Sequence, residues 1–484
     1  MFARGAGDAA QRAGLTRLGV ALGIASSRSH ARRARSVKGG GRSSERNRRA
    51  GPRVAFWKRG GAMRFLPRLL RKAVRKGRLE IIGPKGERHA FGDGDGPEAA
   101  MRITDPSFDW KIFLNPELNG AEAYMDGGLV MERGDVSDLL TLFYVNKRNF
   151  DLTPNQIFWK GIARRGRRFL THNTPGRARR NAESHYDIGN DLYRLMLDRD
   201  MQYSCGYWPD GVATLDEAQT AKKRRIAAKL ALAPGQRVLD IGCGWGGLAL
   251  YLALAFDVEV LGVTLAQNQI EIARARAEAL GLGNRVRFEL RDYREVDETF
   301  DRVVSVGMLE HVGVGQLDAY FLGVRDRLGP DGAALIHSIT TKAPPGVTSP
   351  FIRKYIFPGG YSPTMSEALA AIERSGLWTL DVEVWRLHYA ETIRVWRENF
   401  AKARDDLPER YDERFRRMWE FYLAAVEGVF RHGPNAVMQL QLGRERAVVP
   451  IERGYIGETE KTLAARDGEI AERLWASADT AFAA

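Results

Sequence analysis

Cysteine is nearly absent from this chain: Cys205 and Cys243 are the two thiols in 484 residues. Two thiols cannot build a tetrathiolate zinc centre or a disulfide scaffold, and reducing surroundings are the simpler setting. A run of about twenty apolar residues, the length a spanning helix needs, is missing as well. The best short stretches, "LALYLALAF" and "LGVALGIA", fall well below it. Neither a His-x-x-x-His nor a Cys-x-x-Cys spacing occurs, which removes the common metal frameworks. Acid is scarce in one place: residues 1–62 hold fifteen Lys or Arg against two acids. The other 422 residues are therefore close to neutral, although the whole chain carries +14. That charge is no nucleic-acid signature for the folded body.

What is present divides the chain. Its length suits two folded domains with accessory segments. Residues 1–62, rich in Arg, Gly, Ser and Ala around "RRARSVKGGGRSSERNRRAGPR", are expected to form a disordered basic leader. A short apolar run there lacks a persuasive cleavage site for a signal peptide. Next, "MRFLPRLLRKAVRKGRLEIIG" places Phe65, Leu66, Leu69, Leu70, Ala73 and Val74 at helical spacing among six basic residues. Two readings stand: a basic amphipathic helix resting on anionic lipid, or an ordinary domain-opening helix with a solvated face. "LEIIGPKGERHAFG" reads as a hairpin, and residues 63–165 as a small mixed α+β domain, a candidate for membrane docking.

Beyond this the rhythm changes. Helical "TLDEAQTAKKRRIAAKLAL" leads to a short apolar strand and glycine turn, "RVLDIGCGWGG". "VEVLGVTL", "VRFEL", "FDRVVSVG" and "AALIHSIT" follow at α/β spacing, with "TLDVEVW" and "AVMQLQLG" as late strands. This predicts a doubly wound, Rossmann-like sheet over residues 175–450 and a helical tail over 451–484.

Gly242, Gly244 and Gly247 fit a G-x-G-x-x-G turn, weak evidence by itself. A dinucleotide site expects an acid about twenty residues on, but "GVTLAQNQ" offers Thr264, Gln267, Asn268 and Gln269. No P-loop lysine is present either. The acids are instead Asp240, before the glycines, and Asp292 in "LRDYRE". S-adenosylmethionine suits this set, having no pyrophosphate to satisfy. Asp240 would orient the loop or its polar contacts, Asp292 would read the adenine amino group, and Gln269 would add a polar contact.

Further motifs make the match specific. "SHYDIGNDLY" (184–193), "MQYSCGYW" (201–208), "VLDIGCGWGG" (238–247), "GVTLAQNQ" (262–269), "SVGMLEHVG" (305–313), "LIHSIT" (335–340) and "FIRKYIFPGG" (351–360) occur in order. In this the chain resembles the cyclopropane-fatty-acyl-phospholipid synthase family, which includes related fatty-acid and mycolic-acid methyltransferases. "GAEAYMDGGLV" extends the likeness into the small domain. The resemblance implies a class I methyltransferase domain that moves a methylene group from S-adenosylmethionine to a cis double bond of a phospholipid acyl chain. The alkene attacks the sulfonium methyl, and loss of a proton from the resulting carbocation closes a cyclopropane ring.

The resemblance also implies bicarbonate as proton acceptor, held by the Glu310, His337 and Tyr389 side chains and the Cys205 and Ile339 backbone amides. Tyr203 and Ser204 would approach the cofactor, with Asp240, Gly242, Gly244, Gly247, Thr264, Gln269 and Asp292. Cation-stabilising aromatics are sought among Tyr203, Tyr207, Trp208, Tyr355, Phe357 and Tyr389. His185, Tyr186 and Asp187 fall in a segment expected to close over cofactor and acyl chain. Arg353 and Lys354 are either phosphate contacts or solvated charges, and no metal is expected. Partners implied are an unsaturated phospholipid, no nucleic acid and, since family members are often dimeric, a second copy of the chain as a candidate. The expected location is cytoplasmic, peripheral on the inner face of a bacterial membrane. Two rivals remain: methylation to a methyl-branched or methylene product without ring closure, and a non-enzymatic lipid- or RNA-binding protein.

Overall fold

The computed structural model describes residues 63–150 and 188–483, together with Gly161, Gly166, Arg167, Thr171, Asn173 and Gly176. The basic leader and the His185, Tyr186 and Asp187 segment lie outside the described residues.

The first layer begins with α1 (Phe65–Ala73), whose Leu66, Leu69, Leu70 and Ala73 are buried. The apolar stripe therefore faces inward, as in a domain-opening helix, and Phe65 alone of its large apolar groups stays partly exposed, at 36%. Asp109 accepts the N–H groups of Arg64, Phe65 and Leu66, satisfying donors that the helix start leaves open. Strands β1 (Arg78–Ile82), β2 (Arg88–Phe91), β3 (Glu98–Ile103) and β4 (Leu129–Arg133) form a sheet in the order β2-β1-β3-β4. β1 and β2 are the antiparallel hairpin, whereas β1 and β3 run parallel. Around them lie α2 (Ser107–Leu114), α3 (Pro116–Met125), α4 (Val136–Val145) and α5 (Lys147–Phe150).

After α6 (Asn190–Met196), helix α7 (Leu215–Leu230) starts with a reciprocal Thr214–Glu217 capping box. A seven-stranded sheet follows, built from β5 (Arg237–Ile241), β6 (Glu259–Thr264), β7 (Val286–Leu290), β8 (Phe300–Val306), β9 (Leu328–Thr341), β10 (Trp378–Trp385) and β11 (Asn435–Gly443). Its order is β10-β11-β9-β8-β5-β6-β7; β5 to β9 are parallel, and β11 alone pairs antiparallel with both its neighbours. The parallel strands read as near-continuous apolar runs because helices cover both faces. Those helices include α8 (Gly247–Phe256), α9 (Gln267–Ala279), α10 (Leu317–Asp326) and α11 (Met365–Ser375). Strand order reverses between β5 and β8, the crevice where a doubly wound sheet gathers its ligand.

Helices α12 (His388–Ala403) and α13 (Glu413–Arg431) join the two layers. α13 packs on α12, α3 and α4, and Tyr144 Oη donates to the Ala425 carbonyl at 2.9 Å. The C-terminal helices α14 (Gly454–Ala464) and α15 (Asp467–Ala483) pack on α7 and α9. Asp467 anchors them, accepting from Tyr251 Oη at 2.8 Å and pairing with Arg224.

Candidate active site

Strand β5 delivers Asp240 to the carboxyl edge of the large sheet, and the chain then turns through the glycines. Gly244 lies at φ +55°, backbone that L side chains rarely take, with open space where its Cβ would point. Gly247 is needed for a different reason: a Cβ there would lie 2.4 Å from both Asp200 Oδ2 and Gln202 Nε2. Gly242 turns at φ +85°. Asp240 is buried, its Oδ2 has no hydrogen-bond partner, and burial pushes its pKa up to about 7. At the end of β6, Thr264 Oγ1 accepts the Ala266 N–H at 3.2 Å and lies 3.4 Å from Gln269 Oε1. Asp292, past β7, takes Arg294 on both oxygens, at 2.8 and 2.6 Å. Its carboxylate thus carries a cationic partner, and each oxygen keeps a lone pair with which it could accept an adenine amino group.

Seven of the other predicted residues, Tyr203, Ser204, Cys205, Glu310, His337, Ile339 and Tyr389, line one cavity of about 1710 Å³, as do Leu70, Ile112 and Phe143 of the small domain. Glu310 sits in a single 3₁₀ turn after β8. Its Oε1 accepts the Ile339 N–H at 2.6 Å, while Oε2 is buried without a partner. Burial raises its pKa to about 7, against the pull of that amide. Ile339 therefore orients the carboxylate; its amide is engaged by Glu310 rather than held open for a ligand.

His337 on β9 stands across from Gln439 on β11, whose Nε2 lies 3.2 Å from Nδ1. With the amide nitrogen toward it Nδ1 accepts and the ring proton sits on Nε2; the reverse amide orientation, which would engage the unpartnered Gln439 Oε1, places the proton on Nδ1. Burial drives the His337 pKa down to about 3, with the Lys222 charge adding to the effect. The ring is neutral at ordinary pH and, in the first orientation, can donate from Nε2. The Cys205 thiol is buried, bonds to the Gly206 carbonyl at 3.2 Å, and is pushed well above its ordinary pKa. A thiol held protonated is a poor nucleophile. Cys243 is buried likewise.

Of the six aromatics singled out, Tyr203, Phe357 and Tyr389 line the cavity. Tyr203 Oη is 2.9 Å from Tyr422 Oη, and the Tyr389 ring lies 4.7 Å from Phe430. Tyr207 stacks on Trp385 at 4.7 Å, Trp208 donates to Thr392 Oγ1 at 2.9 Å, and Tyr355 donates to Glu122 at 2.8 Å. Lys354 also pairs with Glu122, at 2.6 Å, whereas Arg353 lines the cavity with its Nε unpartnered. His311 faces the cavity beside Phe357, and burial lowers its pKa to about 4. Among the described residues no group of three His, Cys, Asp or Glu side chains is placed to hold a metal.

Sequence reasoning passed over one cluster. Ser204 Oγ accepts Lys222 Nζ at 2.7 Å, and Lys223 pairs with Asp200 at 2.5 Å, both lysines fully buried. "AKKRR" on a helix looks like a solvated face. The available signal was "DRDMQYSC", two acids just ahead of the site turn.

Comparison with known proteins agrees with this geometry. Residues 173–440 match the family described as mycolic acid cyclopropane synthetase. The cyclopropane-fatty-acyl-phospholipid synthase of Escherichia coli (strain K12) is 39% identical over 358 residues, 73% of this chain and 89% of that protein. The tuberculostearic acid methyltransferase UfaA1 of Mycobacterium tuberculosis is 36% identical over 394 residues, 78% of this chain and 90% of its own. Among solved structures, the cyclopropane synthase MmaA2 from Mycobacterium tuberculosis superposes with a TM-score of 0.53 at 31% identity, covering 55% of this chain and 98% of that one. A doubly wound methyltransferase core, an ordered set of motifs and relatives matched over most of their length lead to one assignment: the chain belongs to the cyclopropane-fatty-acyl-phospholipid synthase family of S-adenosylmethionine-dependent lipid methyltransferases.

Proposed function

We propose that this enzyme transfers a methylene group from S-adenosylmethionine to the cis double bond of an unsaturated phospholipid acyl chain, closing a cyclopropane ring. The observation that carries the reading is a buried carboxyl, Glu310, with an unpartnered oxygen at the end of a largely apolar cavity. S-adenosylmethionine, when bound, supplies an electrophilic methyl group. The residues at the β5 to β7 edge fit it: open space faces Gly244, and Asp240 Oδ2 is buried and free. Asp240, Gly242, Gly244, Gly247, Thr264 and Gln269 would hold it there, with Tyr203 and Ser204 from the cavity side.

Tyr203, Phe357 and Tyr389 keep water from the acyl chain and present ring faces to positive charge developing on it. Glu310, with its pKa near 7, can hold or release a proton at Oε2. The same cavity suits bicarbonate, which would supply a base: Glu310, His337, Tyr389 and Cys205 all line it, and Glu310 Oε2 is buried without a partner, so these residues would hold the anion. Residues 63–150 would be the lipid-facing domain in this reading, with the enzyme working at the inner face of the membrane.

The test uses purified enzyme, labelled S-adenosylmethionine and vesicles of mono-unsaturated phospholipid, with NMR of the released acyl chains. High-field cyclopropyl protons are expected. A methyl-branched or methylene product would overturn ring closure and place the chain with relatives such as the tuberculostearic acid methyltransferase. No label in lipid would overturn the substrate class.

A further inference from the structure

Behind the Ser204–Cys205 turn, α7 carries Lys222 and Lys223, both at 0% exposure. Their surroundings differ. Lys223 pairs with Asp200 Oδ2, and Arg276 takes Asp200 Oδ1, so that carboxylate is neutralised twice. Among the described residues Lys222 has no carboxylate within 4.0 Å. Its Nζ donates to two neutral acceptors, Gln202 Oε1 and Ser204 Oγ, each at 2.7 Å. Asp198 is close enough to favour the ammonium, but its oxygens accept the Gln202 and Asp200 amides. Asp198, Asp200, Lys222, Lys223 and Arg276, all buried, thus hold three basic groups against two acids. A third buried acid, Asp240, also feels the Lys222 charge, and burial pushes its pKa and that of Asp198 up to about 7, so of these acids Asp200 alone is held firmly charged. The surplus falls on Lys222.

Burying an ammonium with no counterion in contact is costly. Here burial lowers the Lys222 pKa to about 7, and an arriving anion would relieve that penalty. The surplus charge is directed at the site. Asp240, Cys205 and His337 all feel the Lys222 charge, and its partner Ser204 lines the cavity beside Cys205. One hydroxyl separates the lysine from the cavity wall.

We propose that Lys222 is a positioning residue that holds a small carboxylate-type anion, bicarbonate or the methionyl carboxylate of the cofactor, acting through the Ser204 hydroxyl and the Cys205 turn. The choice of these two anions rests on the methylene-transfer reading above. Ser204 Oγ accepts from the ammonium, which leaves its own O–H available to donate to an anion. The positive groups behind it favour negative charge at the Ser204–Cys205 wall of the cavity that Glu310 also lines.

The experiment measures binding rather than turnover, on the full chain and on Lys222→Met. Carbon-13 NMR line broadening reports bicarbonate binding with S-adenosylhomocysteine present. Calorimetry reports the affinity for S-adenosylhomocysteine and for methylthioadenosine, which lacks the carboxylate. Loss of about tenfold in bicarbonate affinity, with S-adenosylhomocysteine unchanged, supports the proposal and names bicarbonate as the anion. A similar loss for S-adenosylhomocysteine but not for methylthioadenosine supports it and names the cofactor carboxylate. Unchanged affinities for all three, or equal losses for both nucleosides, overturn it. Should the wild-type chain bind no bicarbonate, the bicarbonate reading of the site falls, while the nucleoside pair still decides the role of Lys222. Lys222→Gln, which keeps a donor for Ser204 but no charge, is run beside it in case the methionine variant does not fold, and the same outcomes decide.

Discussion

Replacing Glu310 by Gln separates the cost of its carboxylate from its use. The Gln amide oxygen can still accept the Ile339 N–H that now bonds Oε1 at 2.6 Å, and the volume hardly changes. What disappears is an ionisable group whose pKa burial lifts from 4.5 to about 7. Between these values the folded state keeps a proton that the unfolded chain has lost, so wild-type stability falls as pH rises through the window. Above about pH 7 the penalty is complete. Each pKa unit is worth about 1.4 kcal/mol and roughly two units of the window lie above pH 5, so the variant should gain about 2.5 kcal/mol on the wild type between pH 5 and pH 8. Urea unfolding of the ligand-free proteins at both pH values measures it. Activity should move the other way, with kcat down by about 10² to 10³-fold, the usual size of a lost proton-handling group. An equal stability difference at pH 5 and pH 8 would refute the burial argument. More than about a tenth of wild-type activity would refute the role at the reacting centre.

Cys205→Ser should keep its rate within about threefold of wild type, because the thiol is protonated and only the backbone is used; initial rates with labelled S-adenosylmethionine check this, and complete inactivation with the fold intact would restore a nucleophilic thiol. Gly247→Ala should cost about 2–4 kcal/mol in urea unfolding, because its Cβ would press on the buried Asp200. Gly457→Ala, in mid-helix with nothing within 4 Å, should instead stabilise by about 0.5–1 kcal/mol. Glu122→Ala cuts the tie from α3 to Lys354 and Tyr355 beside the cavity. Lys354 is 55% exposed, so the half-saturating vesicle lipid should rise by no more than about fivefold, with S-adenosylhomocysteine affinity unchanged.

The strands of the large sheet were legible because parallel strands buried on both faces leave short apolar runs, and glycines mark where β5 must turn. Glu310, His337, Tyr389 and Cys205 were legible only through the resemblance, since a lone acid or histidine in an apolar run has many structural uses. Three features escaped because each depends on a partner distant in sequence or on local pairing that no pattern announces. The Asp292 carboxylate is taken by Arg294, two residues on. The Ile339 amide, offered as a ligand donor, serves Glu310 twenty-nine residues earlier. The "KKRR" run, with the periodicity of a solvated helix, turns two lysines into the protein because Asp200 and Ser204 wait there. The α1 stripe shows the reverse: its periodicity was plain, but whether lipid or protein covered it rested on Asp109, 43 residues beyond Leu66, and on the sheet that starts at Arg78. Local pattern thus reports which groups want burial, whereas their destination is decided by long-range partners. At this site those partners are charges. The residues that set the electrostatics of the cavity, Lys222 foremost, are accordingly the ones that sequence reading is least able to find.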